Sequence, residues 1–329
     1  MQQSQTEGYR KDIEDVTFPE SLKINGVWWR FLKQRPFTET RIYVSDDQSK
    51  YLHTGNLQKI ENEAEYIQNL YRLDFPVPNI LERGLINSEG YYIETSVGTE
   101  SYATKFKNYY SERGTISPEI YTSFCTRVCV FFDSQLKTSL TKTSKNDLER
   151  MMKLPNVLDE NPDLDIVQIN NCIVKIKDRI KKLPAVYSHG DLTPRNIFEG
   201  GIIDFEFNSI GPVGLDVLVA PLVENLWAFN DIEGKTHEEF IINAEQVNFY
   251  FNMINSTAKK NGLDNFLEYI DDFFLVKAFW ALAYEKKQAI TTGNSSKWNF
   301  RKSVLKYCIN QYLNSEKIDT LSLRQFGTK

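Results

Sequence analysis

The run His189-Gly190-Asp191-Leu192-Thr193-Pro194-Arg195-Asn196, with Ile203-Asp204-Phe205-Glu206 shortly after it, constrains this chain more than any other stretch. It places two oxygen ligands suited to a hard cation, Asn196 and Asp204, close to one candidate base, Asp191. Mg²⁺ takes a few side-chain oxygens plus substrate phosphates in preference to an all-protein cage. Phosphoryl transfer is mostly positioning and charge neutralisation, so the grouping points to that chemistry. The local pattern reads as a hairpin, with Asn196-Ile197-Phe198 and Ile202-Ile203-Asp204-Phe205 as strands around a three-residue loop, Glu199-Gly200-Gly201. In that register Phe198 faces Ile202 and Asn196 faces Asp204, with β-carbons about 4.5–5.5 Å apart. Taken singly, Asp191 and Asn196 are ordinary turn residues. The whole set in this order carries the reading.

The HGDLxxxN run and the hydrophobic-Asp-Phe-Glu that follows resemble the catalytic core of the aminoglycoside phosphotransferase and choline kinase relatives. These are small-molecule kinases built on the protein-kinase fold. The resemblance implies that Asp191 is the catalytic base and that Asn196 and Asp204 hold Mg²⁺. It implies that His189 braces the loop and that Asp216, in Gly214-Leu215-Asp216-Val217, anchors the helical lobe. Glu206 either assists at the metal or is structural. The donor it implies is ATP or GTP, with adenine meeting main-chain groups near Glu94 and Ser96 in Ile93–Gly98. Glu63 falls at the position of the helix glutamate that pairs with a phosphate-binding lysine, and the count back from Pro76-Val77-Pro78 favours it over Glu65.

The chain departs from the family pattern on the nucleotide side. The strand expected to carry the lysine reads Lys50-Tyr51-Leu52-His53-Thr54-Gly55, which puts His53 at the matching position, with Lys50 and Lys59 as neighbouring candidates. An imidazole between a triphosphate and Glu63 would be driven toward its charged form; a packed strand histidine is the alternative. The segment over the phosphates, Arg35-Pro36-Phe37-Thr38-Glu39-Thr40, contains no glycine, leaving Thr38 and Thr40 as hydroxyl and backbone donors. No GxxxxGK[ST] or GxGxxG run occurs elsewhere, so neither a P-loop nor a dinucleotide site replaces it.

Composition narrows the class. A length of 329 residues supports a large core or two lobes. A net charge of −5 gives no polybasic footprint, which argues against nucleic acid as a partner. The polar start Met1–Glu7 is no secretory leader, and no apolar run reaches the length of a membrane span. Cys125, Cys129, Cys172 and Cys308 lie without clustered His, so reduced core thiols are expected rather than zinc, and with them a cytoplasmic protein. Oligomeric state is not legible.

Along the chain, residues 1–20 read as a polar arm. Strands are expected at Val27–Leu32, Arg41–Val44, Lys50–His53, Ile80–Gly84 and Tyr91–Thr95, with an amphipathic helix at Leu57–Leu73. Beyond Gly98 the pattern turns helical. Ser117-Pro118-Glu119 opens a helix reaching Leu136, followed by helices near Asn146–Lys153 and Leu164–Lys182. After Asp216, helices are expected at Val217–Asn230, Glu238–Asn261, Leu263–Thr291 and Lys297–Asn314. The pattern describes an α+β, protein-kinase-like two-lobed fold: an arm (1–20), a small antiparallel-sheet N-lobe (21–97) and a mainly helical C-lobe (98–329).

The expected activity is transfer of a nucleotide γ-phosphate to a small-molecule hydroxyl on a sugar, aminoglycoside or amino alcohol. Aromatic residues of the C-lobe, Trp227 and Trp280 among them, are mostly core, although a few could cage a quaternary ammonium group or stack on a sugar. The rival from another class is a pseudokinase that binds nucleotide or serves as a scaffold without turnover; nucleotidyl transfer at the same site is a third reading.

Overall fold

The computed structural model describes residues 20–35, 38–140, 145–230 and 237–327. The expected arm at 1–20, save Glu20, and Pro36-Phe37 lie outside them. Close contacts divide the chain into two compact units: one gathers residues up to Ala64 with Ile80–Ser96, the other Glu65–Asn79 with everything from Val97 onward.

The first unit is built on one antiparallel sheet. Its strands are β1 (Ser21–Ile24), β2 (Val27–Gln34), β3 (Arg41–Ser45), β4 (Lys50–Gly55), β5 (Ile80–Ile86) and β6 (Glu89–Thr95), in the order β1-β2-β3-β4-β6-β5. Alternation selects one face for burial. Trp29, Tyr43, Leu52, Tyr91 and Ile93 form the apolar cluster on it, with Leu22, Ile24, Phe31 and Ile86 packed alongside. Burying an aromatic or aliphatic side chain of this size contributes about 1.5–3 kcal/mol, so this cluster holds the sheet's register. Helix α1 (Leu57–Arg72) spans the division at Ala64. The turn at Asp46–Ser49 closes β3 onto β4, and Asp47 accepts from the Ser45 hydroxyl and the Ser49 amide. These bonds lower the Asp47 carboxyl to about 2.

The second unit is helical: α2 (Tyr102–Arg113), α3 (Pro118–Lys137), α4 (Lys145–Met151), α5 (Leu154–Glu160), α6 (Ile166–Ile180), α7 (Ala244–Lys260), α8 (Ile270–Leu282), α9 (Glu285–Thr292) and α10 (Ser296–Leu313). Local chemistry sets several boundaries. Ser117 accepts from the Ile120 amide with Pro118 in the first turn, as the sequence suggests. Asn243 and Gln246 form a reciprocal capping box, so α7 starts at Ala244 rather than at Glu238. The expected helix over 217–230 does not form; turns and a short 3₁₀ segment, Val223–Trp227, replace it. Pro221 lies in mid-segment, where a helix cannot supply its missing donor or accommodate its ring. Tyr284, at φ 68°, separates α8 from α9. Cys125, Cys172 and Cys308 are buried free thiols, and burial pushes Cys172 up to about 11. Among the described residues no helix is long and apolar enough to cross a membrane.

A two-stranded antiparallel ribbon, β7 (Ala185–Ser188) with β8 (Ser209–Pro212), pairs Ser188 with Ser209. Everything from His189 to Asn208 is therefore one excursion between two adjacent strand ends. The Tyr66 hydroxyl lies 2.9 Å from the Ser188 carbonyl and 3.0 Å from that of Ser209, tying the ends together. Burial pushes this phenol well above its ordinary range.

Candidate active site

Three anchors shape the excursion. The first is Asp216, almost fully buried, whose carboxylate accepts from the Ser188 hydroxyl (2.8 Å), the amides of His189 and Gly190 (both 2.9 Å) and Gln135 Nε2 (3.1 Å). Four donors compensate the cost of enclosing a carboxylate. Gly190 is the second: its φ is +81°, and a Cβ there would lie 2.2 Å from the Phe207 carbonyl oxygen. Only glycine fits such a position. His189 is the third. Its Nδ1 accepts the Asp191 amide at 3.1 Å, so the ring proton sits on Nε2 and is donated to the Ile203 carbonyl at 2.8 Å. The ring also packs on Phe205, centroids 4.6 Å apart. Asp191 itself and the residue before Asp204 are thus joined through His189.

Asn196 Nδ2 donates to the Asp191 carbonyl at 2.9 Å. That bond orients the amide and leaves Oδ1 as its other polar end. Helix α2 satisfies its first amides on the same segment, with Tyr102 N donating to Ile197 O and Ala103 N to Pro194 O, both at 2.9 Å.

The hairpin differs from the expected one by one residue. Ile197 bridges Ile202, Phe198 N donates to Gly201 O at 2.8 Å, and Ile203 N donates to Asn196 O at 3.0 Å. The turn is therefore Glu199-Gly200, and Asn196 faces Ile203 instead of Asp204. A Cβ on Gly200 would lie 2.5 Å from the Val97 carbonyl oxygen, whose acceptance of the Gly200 amide draws the tip inward. That close approach fixes the shorter turn. Asp204 stands one position beyond the paired residue, at φ 70°, which breaks strand alternation at that point.

A carboxylate and an amide oxygen are donors of the kind that Mg²⁺ takes from a protein. Among the described residues no group of three or more His, Cys, Asp or Glu is arranged to hold a metal.

A residue not anticipated from sequence meets Asp191. Lys277, on α8 and almost fully buried, places Nζ 2.8 Å from Asp191 Oδ1 and 3.3 Å from the Gly190 carbonyl. The same ammonium lies 3.5 Å from the centre of the Trp280 indole. A lone lysine within Phe273–Leu282, an otherwise apolar stretch, is the signal that could have found it, since a buried lysine is almost always paired. Nearby, Arg195 reaches Glu224 (3.3 Å) and Glu239 (3.0 Å). Glu224 is buried, and its Oε1 has no hydrogen-bond partner among the described residues. Burial raises its carboxyl above the ordinary range, opposed by Arg195.

The nucleotide-side candidates fall in the first unit. Glu63 on α1 does not meet His53. Its carboxylate holds Arg35 Nη1, at 2.9 Å to Oε1 and 2.8 Å to Oε2, with both side chains buried. His53 pairs with Glu94 instead, Nε2 to Oε1 at 3.0 Å, and stacks on Tyr92 at 4.4 Å. The geometric reason is strand register: His53 faces Tyr92 across β4 and β6, and Glu94 lies two residues on, on the same face of the sheet. The Ser96 amide donates to the Ser49 carbonyl at 2.8 Å. Arg35 N donates to Thr40 O at 2.8 Å, closing the base of the glycine-free loop; Thr40 is buried and Thr38 partly exposed.

Fold and site together describe a protein-kinase-like architecture, with an antiparallel N-lobe sheet and a helical C-lobe. Solved structures with this fold include an ethanolamine kinase from Plasmodium vivax (TM-score 0.54, 13% identity, 91% of this chain and 85% of that one). A choline/ethanolamine kinase family protein from Mesorhizobium loti gives a TM-score of 0.52 at 11% identity, over 91% of this chain and 92% of that one. A thermostable mutant of an aminoglycoside phosphotransferase, in ternary complex with ADP and hygromycin B, gives 0.51 at 12% identity, over 92% and 94%. The chain resembles aminoglycoside phosphotransferases and choline/ethanolamine kinases in structure. No protein-family model matches the sequence, and no curated protein matches it.

Proposed function

We propose that this protein transfers the γ-phosphoryl group of ATP or GTP to a hydroxyl of a small molecule in the presence of Mg²⁺. The observation that carries the reading is the pinned excursion from His189 to Asn208, in which one ring and one amide tie Asp191 to Asn196 and to the strand before Asp204. Asp191 is the residue to orient or deprotonate the acceptor hydroxyl, since one carboxylate oxygen is engaged by Lys277 and the side chain is a quarter exposed. Asn196 and Asp204 would hold Mg²⁺, which neutralises charge on the transferring phosphoryl group when bound. Fixing the acceptor against a held base converts an encounter into a unimolecular step. Glu63, His53, Glu94, Ser96, Thr38 and Thr40 remain the nucleotide-side candidates, with Arg35 added as the cation that meets Glu63.

One observation favours a second reading. Glu63 pairs with an almost fully buried arginine and His53 with Glu94, so the usual lysine–glutamate arrangement is replaced. A nucleotide-binding protein without turnover fits that replacement. Melting with Mg²⁺-ATP and turnover across hydroxyl acceptors separate the two. Nucleotide at a hundredfold its dissociation constant stabilises by about 2.7 kcal/mol. For the kinase, Asp191→Ala keeps that shift and loses turnover by about 10²–10⁴-fold, and Asp204→Ala loses the Mg²⁺-dependent part of the shift. Activity surviving in Asp191→Ala removes it as the base, and a shift without transfer selects the second reading.

A further inference from the structure

We infer that the acceptor is a neutral or acidic hydroxyl compound and not an ammonium compound, because the aromatic faces that would receive a cation are already taken by cations of the chain. The inference rests on Asp191 facing the acceptor. Two partly exposed indoles lie among the charged groups around Asp191. The Trp280 ring is capped by Lys277 Nζ at 3.5 Å, the ammonium that also holds Asp191 at 2.8 Å. The Trp227 ring has Lys297 Nζ 4.6 Å and the Arg301 guanidinium 4.4 Å from its centre. A quaternary or protonated amine is ordinarily recognised by such ring faces within about 6 Å. Here each is satisfied internally.

Three described carboxylates, Glu285, Glu239 and Glu224, face cations of the chain as well. Glu285 holds Arg301 at 2.6 Å and Lys297 at 2.9 Å. Glu239 holds Arg195 at 3.0 Å and Lys107 at 2.7 Å. Glu224 faces Arg195 at 3.3 Å. Arg301 is itself fixed by the Leu226 and Ala281 carbonyls, at 3.2 and 2.8 Å, so it does not swing away from Trp227 at little cost. An acceptor hydroxyl approaching Asp191 therefore arrives beside the Lys277 ammonium. A cation two carbons from that hydroxyl meets like charge at a poorly solvated site, whereas a polyol or hydroxy acid meets a hydrogen-bond donor. Lys277 is a positioning residue for Asp191 that also sets the charge of what Asp191 accepts.

Matched pairs isolate charge from shape: choline against 3,3-dimethylbutan-1-ol, and glucosamine against glucose. Binding of each is measured by titration calorimetry on the full chain with Mg²⁺-ADP, independently of transfer, so failure of the kinase reading is seen separately as absence of phosphoryl transfer. The native chain is expected to favour the uncharged partner at least tenfold. Lys277→Met, which keeps volume and removes charge, is expected to shift the ratio at least tenfold toward the ammonium partner, while Lys277→Arg keeps the native preference. Choline or glucosamine binding the native chain as tightly as its neutral partner overturns the inference, even where Lys277→Met does not fold. An unchanged ratio in folded Lys277→Met, or no binding of any of the four compounds, overturns it too.

Discussion

Arg35 sets one guanidinium nitrogen on both carboxylate oxygens of Glu63, at 2.9 and 2.8 Å, with both side chains nearly sealed from solvent. Arg35→Ala leaves a buried carboxylate without its cation and is expected to cost about 3–5 kcal/mol. Arg35→Lys falls between, because an ammonium on a shorter stem keeps the charge without the reach of Nη1. Paired replacement of Arg35 and Glu63 by leucine recovers at least half of the loss, since no orphaned charge remains. Denaturant unfolding checks all three, and a loss below about 1 kcal/mol in Arg35→Ala would show the pair to be passive.

Gly190→Ala tests the entry to the excursion. The added Cβ meets the Phe207 carbonyl oxygen at 2.2 Å in a left-handed conformation, and the backbone must move to relieve it. A loss of about 2–3 kcal/mol is expected, read as a lower melting temperature. A melting temperature within a degree of the native chain contradicts the geometry.

Glu224 supplies a pH signature. Burial raises its folded-state value above the ordinary one near 4.5. Between those two values the folded chain binds the extra proton, so stability declines as pH rises through the window and the carboxylate forms. Glu224→Gln carries no such charge and leaves Arg195 its bond to Glu239. The melting temperature of Glu224→Gln relative to the native chain should therefore climb as pH rises above the ordinary carboxyl value. A flat difference assigns Glu224 an ordinary carboxylate and a falling one a lowered carboxylate, and either contradicts the expectation.

Much of the architecture was legible because it rests on local rules. Ser117-Pro118 announces α3, the aromatic and branched runs announce β2 to β6, and the spacing of Ile60, Ala64 and Ile67 announces α1. The misses are tertiary or one residue deep. Pairing Phe198 with Gly201 depends on the Gly200 tip reaching the Val97 carbonyl, which no hairpin rule contains. Strands β7 and β8 have four residues each and are set more than twenty residues apart, so neither advertises its partner. Arg35 and Lys277 find Glu63 and Asp191 across long sequence separations, although a charged residue inside an apolar helix was itself a clue. His53 shows the converse: family position suggested one glutamate, and strand register supplied another.

The His189 ring has a consequence for anyone wishing to move this machinery. Because a single imidazole fastens the acidic turn to the segment preceding Asp204, and Phe205 presses against its face, the candidate stretch is not two interchangeable modules. A graft into another scaffold must carry everything from Ser188 through Ser209 as one cassette, together with a counterpart for Asp216 beneath it.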